Sequence, residues 1–154
     1  MNAAVLTVSD RASRGEYEDE AGPAVERVLV AAGHLVVERA VVPDDRPAIE
    51  KALTAWCDDA GIDVVVATGG TGLGPRDVTP EAVRAVLDRE APGLAEAMRV
   101  AGMRTTPFAA LSRQVCGIRG ASLIVTVPGS PKAAVESLEA IAEVLAHAVE
   151  MARA

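Results

Sequence analysis

Apolar residues follow two rhythms along this chain. Short apolar runs occupy Ala3–Val8, His34–Val42, Asp63–Thr68 and Ser122–Val127, and each gives way at once to a polar, glycine or proline turn. Runs of this length with such boundaries predict strands. Glu38 and Arg39 interrupt the second run, so that strand is predicted to be the least buried. Between the runs, apolar positions recur every three to four residues. Ala21, Val25, Val28, Leu29 and Ala32 form one stripe, which predicts a helix over Ala21–Ala32 with Gly33 as its stop. Pro47 opens a second helix reaching about Asp59. Thr79 reads as an N-cap with Pro80 at the first helical position and Val83, Val86 and Leu87 behind it. Val135, Leu138, Ile141, Ala142, Leu145 and Val149 line a long helix from Pro131 to near Met151, with Glu136, Glu139, Glu143 and Glu150 off the stripe. Strands alternating with helices predict a parallel sheet covered on both faces. The fold class is therefore α/β: a single-domain three-layer sandwich, residues 1–154, with a mainly parallel central sheet and helices on both faces.

Ala91–Gly120 departs from this alternation. Pro92 starts a helix through Leu94, Met98 and Ala101, Thr105-Thr106-Pro107 breaks it, and Gln114–Ile118 is predicted as a short strand at a sheet edge. Exposed Met and Phe side chains in this insertion offer a surface for another subunit, or cover for the domain's own sheet.

Composition narrows the picture. Half of the 154 residues are hydrophobic but only 2% are aromatic, so Val, Leu, Ile and Ala must fill the core. No apolar run approaches the roughly 18 residues of a membrane span, and neither that pattern nor a signal peptide is present, so a cytoplasmic protein is expected. The net charge of −7 lacks the basic face that nucleic-acid binding needs. Cys57, Cys116, His34 and His147 are scattered, with no zinc or Cys–His catalytic spacing.

The chemistry concentrates in Thr68-Gly69-Gly70-Thr71-Gly72-Leu73-Gly74-Pro75-Arg76-Asp77-Val78-Thr79-Pro80-Glu81-Ala82, a strand end, glycine-rich turn and helix start. Glycines allow positive φ and let a ligand approach peptide N–H groups. A phosphate could use those N–H groups and Arg76, and a divalent metal could use Asp77. No Gly-Lys-Ser/Thr closes the turn and its spacing is not the dinucleotide fingerprint. Ser9 and Asp10 end the first strand, Asp44 and Asp45 follow the second, and Pro128-Gly129-Ser130-Pro131-Lys132 follows the fourth. Carboxyl ends of parallel strands share one edge, so these segments converge there, where open α/β sheets bind ligands. Each segment also has a structural reading: Asp10 as a turn residue, Asp44 as a cap ahead of Pro47, Ser130 as the cap of the last helix. Of only two lysines, Lys132 stands beside this second glycine turn, pointing to local anion binding.

The glycine-rich stretch, together with Val8-Ser9-Asp10-Arg11-Ala12-Ser13, Val42-Pro43-Asp44, Pro107-Phe108-Ala109-Ala110-Leu111-Ser112-Arg113 and Pro128-Gly129-Ser130-Pro131-Lys132-Ala133, resembles the MogA/MoaB family of molybdenum cofactor biosynthesis proteins over nearly the whole chain. The likeness is strongest to its molybdopterin adenylyltransferase branch. The resemblance implies transfer of AMP from ATP to the terminal phosphate of molybdopterin, with Mg2+ and release of pyrophosphate. It implies a homotrimer and other molybdenum cofactor enzymes as partners. It places nucleotide phosphates near Gly69, Gly70, Thr71 and Gly72, with Ser112, Arg113, Gly129, Ser130 and Lys132 completing the pocket. Mg2+ is held by one or two carboxylates plus phosphate oxygens, which makes Asp77 and Asp44 the catalytic and metal candidates. Two other readings remain open: a molybdopterin-binding protein of the MoaB-like branch without catalysis, and a flavodoxin-like nucleotide sensor.

Overall fold

The computed structural model covers residues 1–154 and is built on one six-stranded sheet. The strands are β1 (Asn2–Val8), β2 (Leu35–Val42), β3 (Val64–Thr68), β4 (Arg89–Glu90), β5 (Cys116–Arg119) and β6 (Ser122–Val127), in the order β2-β1-β3-β6-β5-β4. β2, β1, β3 and β6 are parallel, pairing Val5 with Arg39 and Val66, and Val66 with Val125. These are the four strands that the apolar runs predict. β5 and β4 extend the sheet antiparallel, with Cys116 opposite Val125 and Arg89 opposite Ile118. The predicted strand at 114–118 therefore lies one place in from the edge. The edge itself is a two-residue strand that no apolar pattern announces, because Arg89 and Glu90 are both exposed.

Strand side chains alternate between two cores, as the period of two requires. Ala3, Val5, Val64, Val66, Leu123 and Val125 face α2 (Ala21–Ala31), α5 (Pro92–Met103), α6 (Pro131–Ile141) and α7 (Leu145–Arg153). Ala4, Leu6, Val65, Ala67 and Ile124 face α3 (Arg46–Thr54) and α4 (Thr79–Val86). A four-residue helix, α1 (Asp10–Ser13), follows β1 directly. β2 is the exposed outer strand, as Glu38 and Arg39 foretell.

Three local details correct the sequence reading. The helix opened by Arg46-Pro47 ends at Thr54 and continues as a π-helical turn over Ala55–Asp59. The C-terminal helix is two helices joined by a 3-10 turn at Ala142–Val144, which keeps Ile141, Leu145 and Val149 all buried. Asp45, not Asp44, caps α3 by accepting the Ala48 N–H at 3.0 Å, which leaves the Asp44 side chain for other partners. Gly33 does stop α2, at φ +88°. No helix is long and apolar enough to cross a membrane.

Candidate active site

The chain leaves β1 toward β2 on one side and leaves β3 toward β4, β5 and β6 on the other, so the winding reverses between β1 and β3. Such a reversal opens a crevice beyond the carboxyl ends of the central strands. The cavity found there, about 200 Å3, is lined by Thr7, Val8, Ser9 and Ala12 from the end of β1, Asp44 after β2, Thr68, Gly69, Gly70 and Asp77 after β3, and Gly129 after β6. The sequence argument that the four strand ends converge is thus met in space.

Gly69 and Gly70 adopt φ +104° and +65° in succession. At Gly69 a Cβ would collide with the Val8 carbonyl oxygen, so the turn packs directly on the end of β1. Gly129 packs just as closely, with its own Cβ position 3.3 Å from the Gly69 Cα. The absence of side chains brings three strand ends into backbone contact and leaves the turn's peptide edges open to a ligand.

Asp10 and Asp44 form a reciprocal clasp between the ends of β1 and β2. The Asp10 N–H donates to Asp44 Oδ2 at 2.8 Å, and the Asp44 N–H donates to Asp10 Oδ1 at 3.0 Å. Arg76 binds Asp10 with both Nε and Nη2 at 3.0 Å, tying the far side of the glycine loop to the same corner. That guanidinium hydrogen bond holds the Asp10 carboxyl below the usual carboxylate range. Burial raises the Asp44 carboxyl instead, and the charges of Asp10 and Asp77 push it the same way, against the Asp10 backbone hydrogen bond and Arg76. Asp77 accepts the Gly74 N–H at 2.9 Å, and its carboxylate lies beside Gly72 and Gly74.

The raised pKa of Asp44 has a consequence for stability. A carboxyl whose pKa is higher folded than unfolded stabilises the fold below the unfolded pKa, and that contribution is lost as pH rises through the folded value. Asp44→Asn removes the buried charge, and its amide oxygen can still accept the Asp10 N–H. The variant is expected to melt above wild type at pH 7 in EDTA, with the difference shrinking as the pH is lowered through the carboxylate range. Thermal melts at pH 3.5 to 7.5 check this; a variant that melts lower at pH 7 refutes it.

A second cavity, about 340 Å3, adjoins the first across Gly70, Asp77 and Gly129 and is lined also by Thr71, Gly72, Phe108, Leu111, Ser112 and Pro128. The Ser112 and Thr71 hydroxyls lie 3.3 Å apart at its wall. Asp77 and the two glycine turns thus form the partition between two adjoining spaces.

Other residues singled out in the sequence have different surroundings. Arg113 lines neither cavity: its guanidinium donates to the carbonyls of Gly72 (2.8 Å) and Asp77 (2.7 Å) and pairs with Glu81, so it braces the loop from behind. Ser130 caps α6, accepting the Ala133 N–H at 3.2 Å, while Lys132 is exposed in the first turn of that helix. Thr79 is not the cap of α4. It is the first helical residue, fully buried, its N–H donating to the Gly70 carbonyl at 3.1 Å and its hydroxyl without any partner.

Residues that the sequence reading passed over complete the first cavity. Asp19 accepts the Thr7 hydroxyl at 2.7 Å and the Gly22 N–H at 2.9 Å, closing one wall together with Tyr17. Tyr17 carries the Arg11 guanidinium 5.4 Å above its ring. The signals were faint: a carboxylate two residues before a helix start, and a threonine within an apolar strand.

Asp44 and Asp77 face one cavity, while no group of three or more His, Cys, Asp or Glu is arranged to hold a metal by itself. A half-buried carboxylate whose proton affinity is raised by burial and by its acidic neighbours, beside open peptide edges, suits a hard cation that takes most of its oxygens from a ligand and water. The residues present therefore fit Mg2+ bound together with phosphates.

A crevice of this kind, at the switch point of an open parallel sheet and walled by glycine turns and carboxylates, defines an α/β protein built to bind phosphate-bearing ligands. Residues 4–147 match the family described as the probable molybdopterin binding domain, and the chain belongs to that family. It is 43% identical over 153 residues to the molybdopterin adenylyltransferase of Helicobacter pylori J99, covering 98% of this chain and 87% of that one. It is 46% identical over 145 residues to the molybdopterin adenylyltransferase of Haemophilus influenzae, covering 92% and 73%. Among solved structures, the molybdopterin biosynthesis enzyme MoaB of Thermus thermophilus superposes with a TM-score of 0.93 at 52% identity, covering 98% of this chain and 95% of that one.

Proposed function

We propose that this protein is a molybdopterin adenylyltransferase of molybdenum cofactor biosynthesis, transferring AMP from ATP to the terminal phosphate of molybdopterin with release of pyrophosphate. The observation that carries the reading is the partition: Gly70, Asp77 and Gly129 border both cavities, so ligands in each would meet at one carboxylate. Relatives named for that activity match nearly the whole chain, and the Pro75-Arg76-Asp77-Val78-Thr79 segment stands at the crevice.

A phosphate monoester has a second pKa near 6, so around neutral pH it is already an anionic nucleophile and needs no strong base. The absence of His from both cavities is therefore no obstacle. The work left to the chain is to align two mutually repelling phosphates and to offset their charge. The N–H groups of Gly70, Thr71 and Gly72 bind and orient phosphate oxygens, while the Gly69 N–H is spent on the Val127 carbonyl. The Asp10–Asp44 clasp and the Arg113 brace keep the turn and Asp77 in fixed relation, so that alignment is set before substrates arrive. Mg2+ would be held by Asp44 and Asp77 and supplies charge neutralisation at the reacting and leaving phosphates.

Incubation with molybdopterin, ATP and Mg2+, followed by mass detection of adenylylated molybdopterin, tests the proposal. Binding of molybdopterin without product would leave a binding protein and overturn the catalytic assignment.

The assembly in which this occurs is proposed to be a homotrimer, with Ala91–Phe108 contributing contacts. Met98 is buried in its own domain, but Met103 is 45% exposed and Phe108 75% exposed, so the segment keeps apolar surface for a neighbour. Light scattering at micromolar concentration is expected to report a trimer, and a monomer would refute this.

A further inference from the structure

Thr79 holds a hydroxyl that nothing in the fold uses. The residue is 0% exposed, and its Oγ1 is buried without a hydrogen-bond partner. A buried unpaired hydroxyl is a cost to folding that valine at the same position would not carry. Its surroundings are specific. A Cβ on Gly70 would collide with Thr79 Oγ1 and lie 3.1 Å from Asp44 Oδ1, so both oxygens face the bare side of the same glycine. Asp44 is half-used in the same way: Oδ2 accepts the Asp10 N–H, while Oδ1 receives no protein donor. Thr79 also opens α4, an eight-residue helix whose start is hydrogen-bonded to the Gly70 carbonyl. The unspent donor and the unspent acceptor therefore both lie within 3.1 Å of one point, the place a Cβ on Gly70 would take, so a turn of the Asp44 carboxylate can bring them together.

We propose that Thr79 is a positioning residue for Asp44: when phosphate ligands occupy the crevice, its hydroxyl donates to Asp44 Oδ1 and fixes the orientation of that carboxylate. The proposal rests on the adenylyl-transfer reading for its kinetic readout and on Asp44 as a metal ligand for its Mn2+ readout. A carboxylate anchored at Oδ2 alone can still swing; a second anchor at Oδ1 through a donor on the rigid start of a helix removes that freedom. The buried position keeps water from competing for the hydroxyl.

Thr79→Val, nearly the same shape without the hydroxyl, and Thr79→Ser, which keeps it, test this. Thr79→Val is expected to fold and to melt at or above wild type. Its kcat should fall about tenfold or more and its KM for Mg2+–ATP should rise, while its affinity for ATP in EDTA stays within about twofold of wild type. Mn2+ affinity in the presence of ATP, read by electron paramagnetic resonance, should weaken by about tenfold. Thr79→Ser should restore kcat and Mn2+ affinity to within about threefold of wild type. Wild-type kcat and Mn2+ affinity in Thr79→Val would overturn the proposal, as would a Thr79→Ser protein as impaired as Thr79→Val. Should Thr79→Val not fold, the Thr79→Ala and Thr79→Ser pair carries the same comparison. If wild type itself makes no product, the adenylyltransferase reading fails, and the Mn2+ measurement still decides the role of Thr79.

Discussion

Asp77→Asn is expected to lower adenylyl transfer by about 100-fold or more while leaving the melting temperature within about 2 °C of wild type. The two halves of that expectation come from different features of Asp77. Its structural bond is one accepted hydrogen bond from the Gly74 N–H, which an asparagine oxygen accepts equally well. Its carboxylate is neither deeply buried nor ion-paired, since Arg113 reaches its main-chain carbonyl and not its side chain. Little stability therefore depends on the charge. The charge matters on the ligand side, where Asp77 borders both cavities and raises the proton affinity of Asp44. Removing it leaves one carboxylate where a divalent cation and two phosphates have to be balanced. Single-turnover assays beside thermal melts check this, and undiminished turnover in folded Asp77→Asn would exclude Asp77 from the reaction.

What the sequence made legible follows from the range of the interactions involved. The four parallel strands were readable because each side chain of an apolar run faces one of two buried layers, and the signal is local. The shared edge was readable because parallel strands must end together. The C-terminal pair of helices was read as one, because a 3-10 turn at Ala142–Val144 preserves the apolar stripe on both sides of it. β4 escaped notice because two exposed charged residues become a strand only by pairing with β5. The site divides along the same line. Glycines, Asp44 and Asp77 stood out by type and position. The role of Arg113 was invisible because its partners, Gly72, Asp77 and Glu81, lie 32 to 41 positions away. Asp44 and Asp45 could not be told apart as cap and clasp residue, since only the path of the chain after β2 decides which side chain turns back toward Ala48. Thr79 matched the N-cap pattern, yet the helix begins one residue earlier than that pattern requires, and its hydroxyl turns inward.

Gly69→Ala is expected to be the most damaging single-methyl substitution in the crevice, destabilising the protein by about 2–4 kcal/mol, or roughly 5–15 °C in melting temperature for a domain of this size. Two costs add at this position. The backbone sits at φ +104°, outside the regions an alanine occupies comfortably. The new methyl would also meet the Val8 carbonyl oxygen, a main-chain atom at the end of β1 that cannot rotate away. Relief requires moving either the turn or β1, and both are fixed: the Gly69 N–H donates to the Val127 carbonyl at 3.1 Å, and Val8 is buried at 3% exposure. Because Ser9, Gly70 and Gly129 line the same cavity, any shift that relieves the clash also displaces the ligand-binding edges, so activity should fall further than unfolding alone explains. Gly129→Ala provides the comparison. It has no positive φ, and its methyl would sit 3.3 Å from the Gly69 Cα, short of ordinary contact by only a few tenths of an ångström rather than in collision, so a smaller loss of about 1 kcal/mol is expected. Thermal melts of the two variants beside wild type separate the effects. A Gly69→Ala protein that melts with wild type would mean that β1 and the glycine turn are not in rigid contact, and the pre-set alignment of the crevice would fall with it.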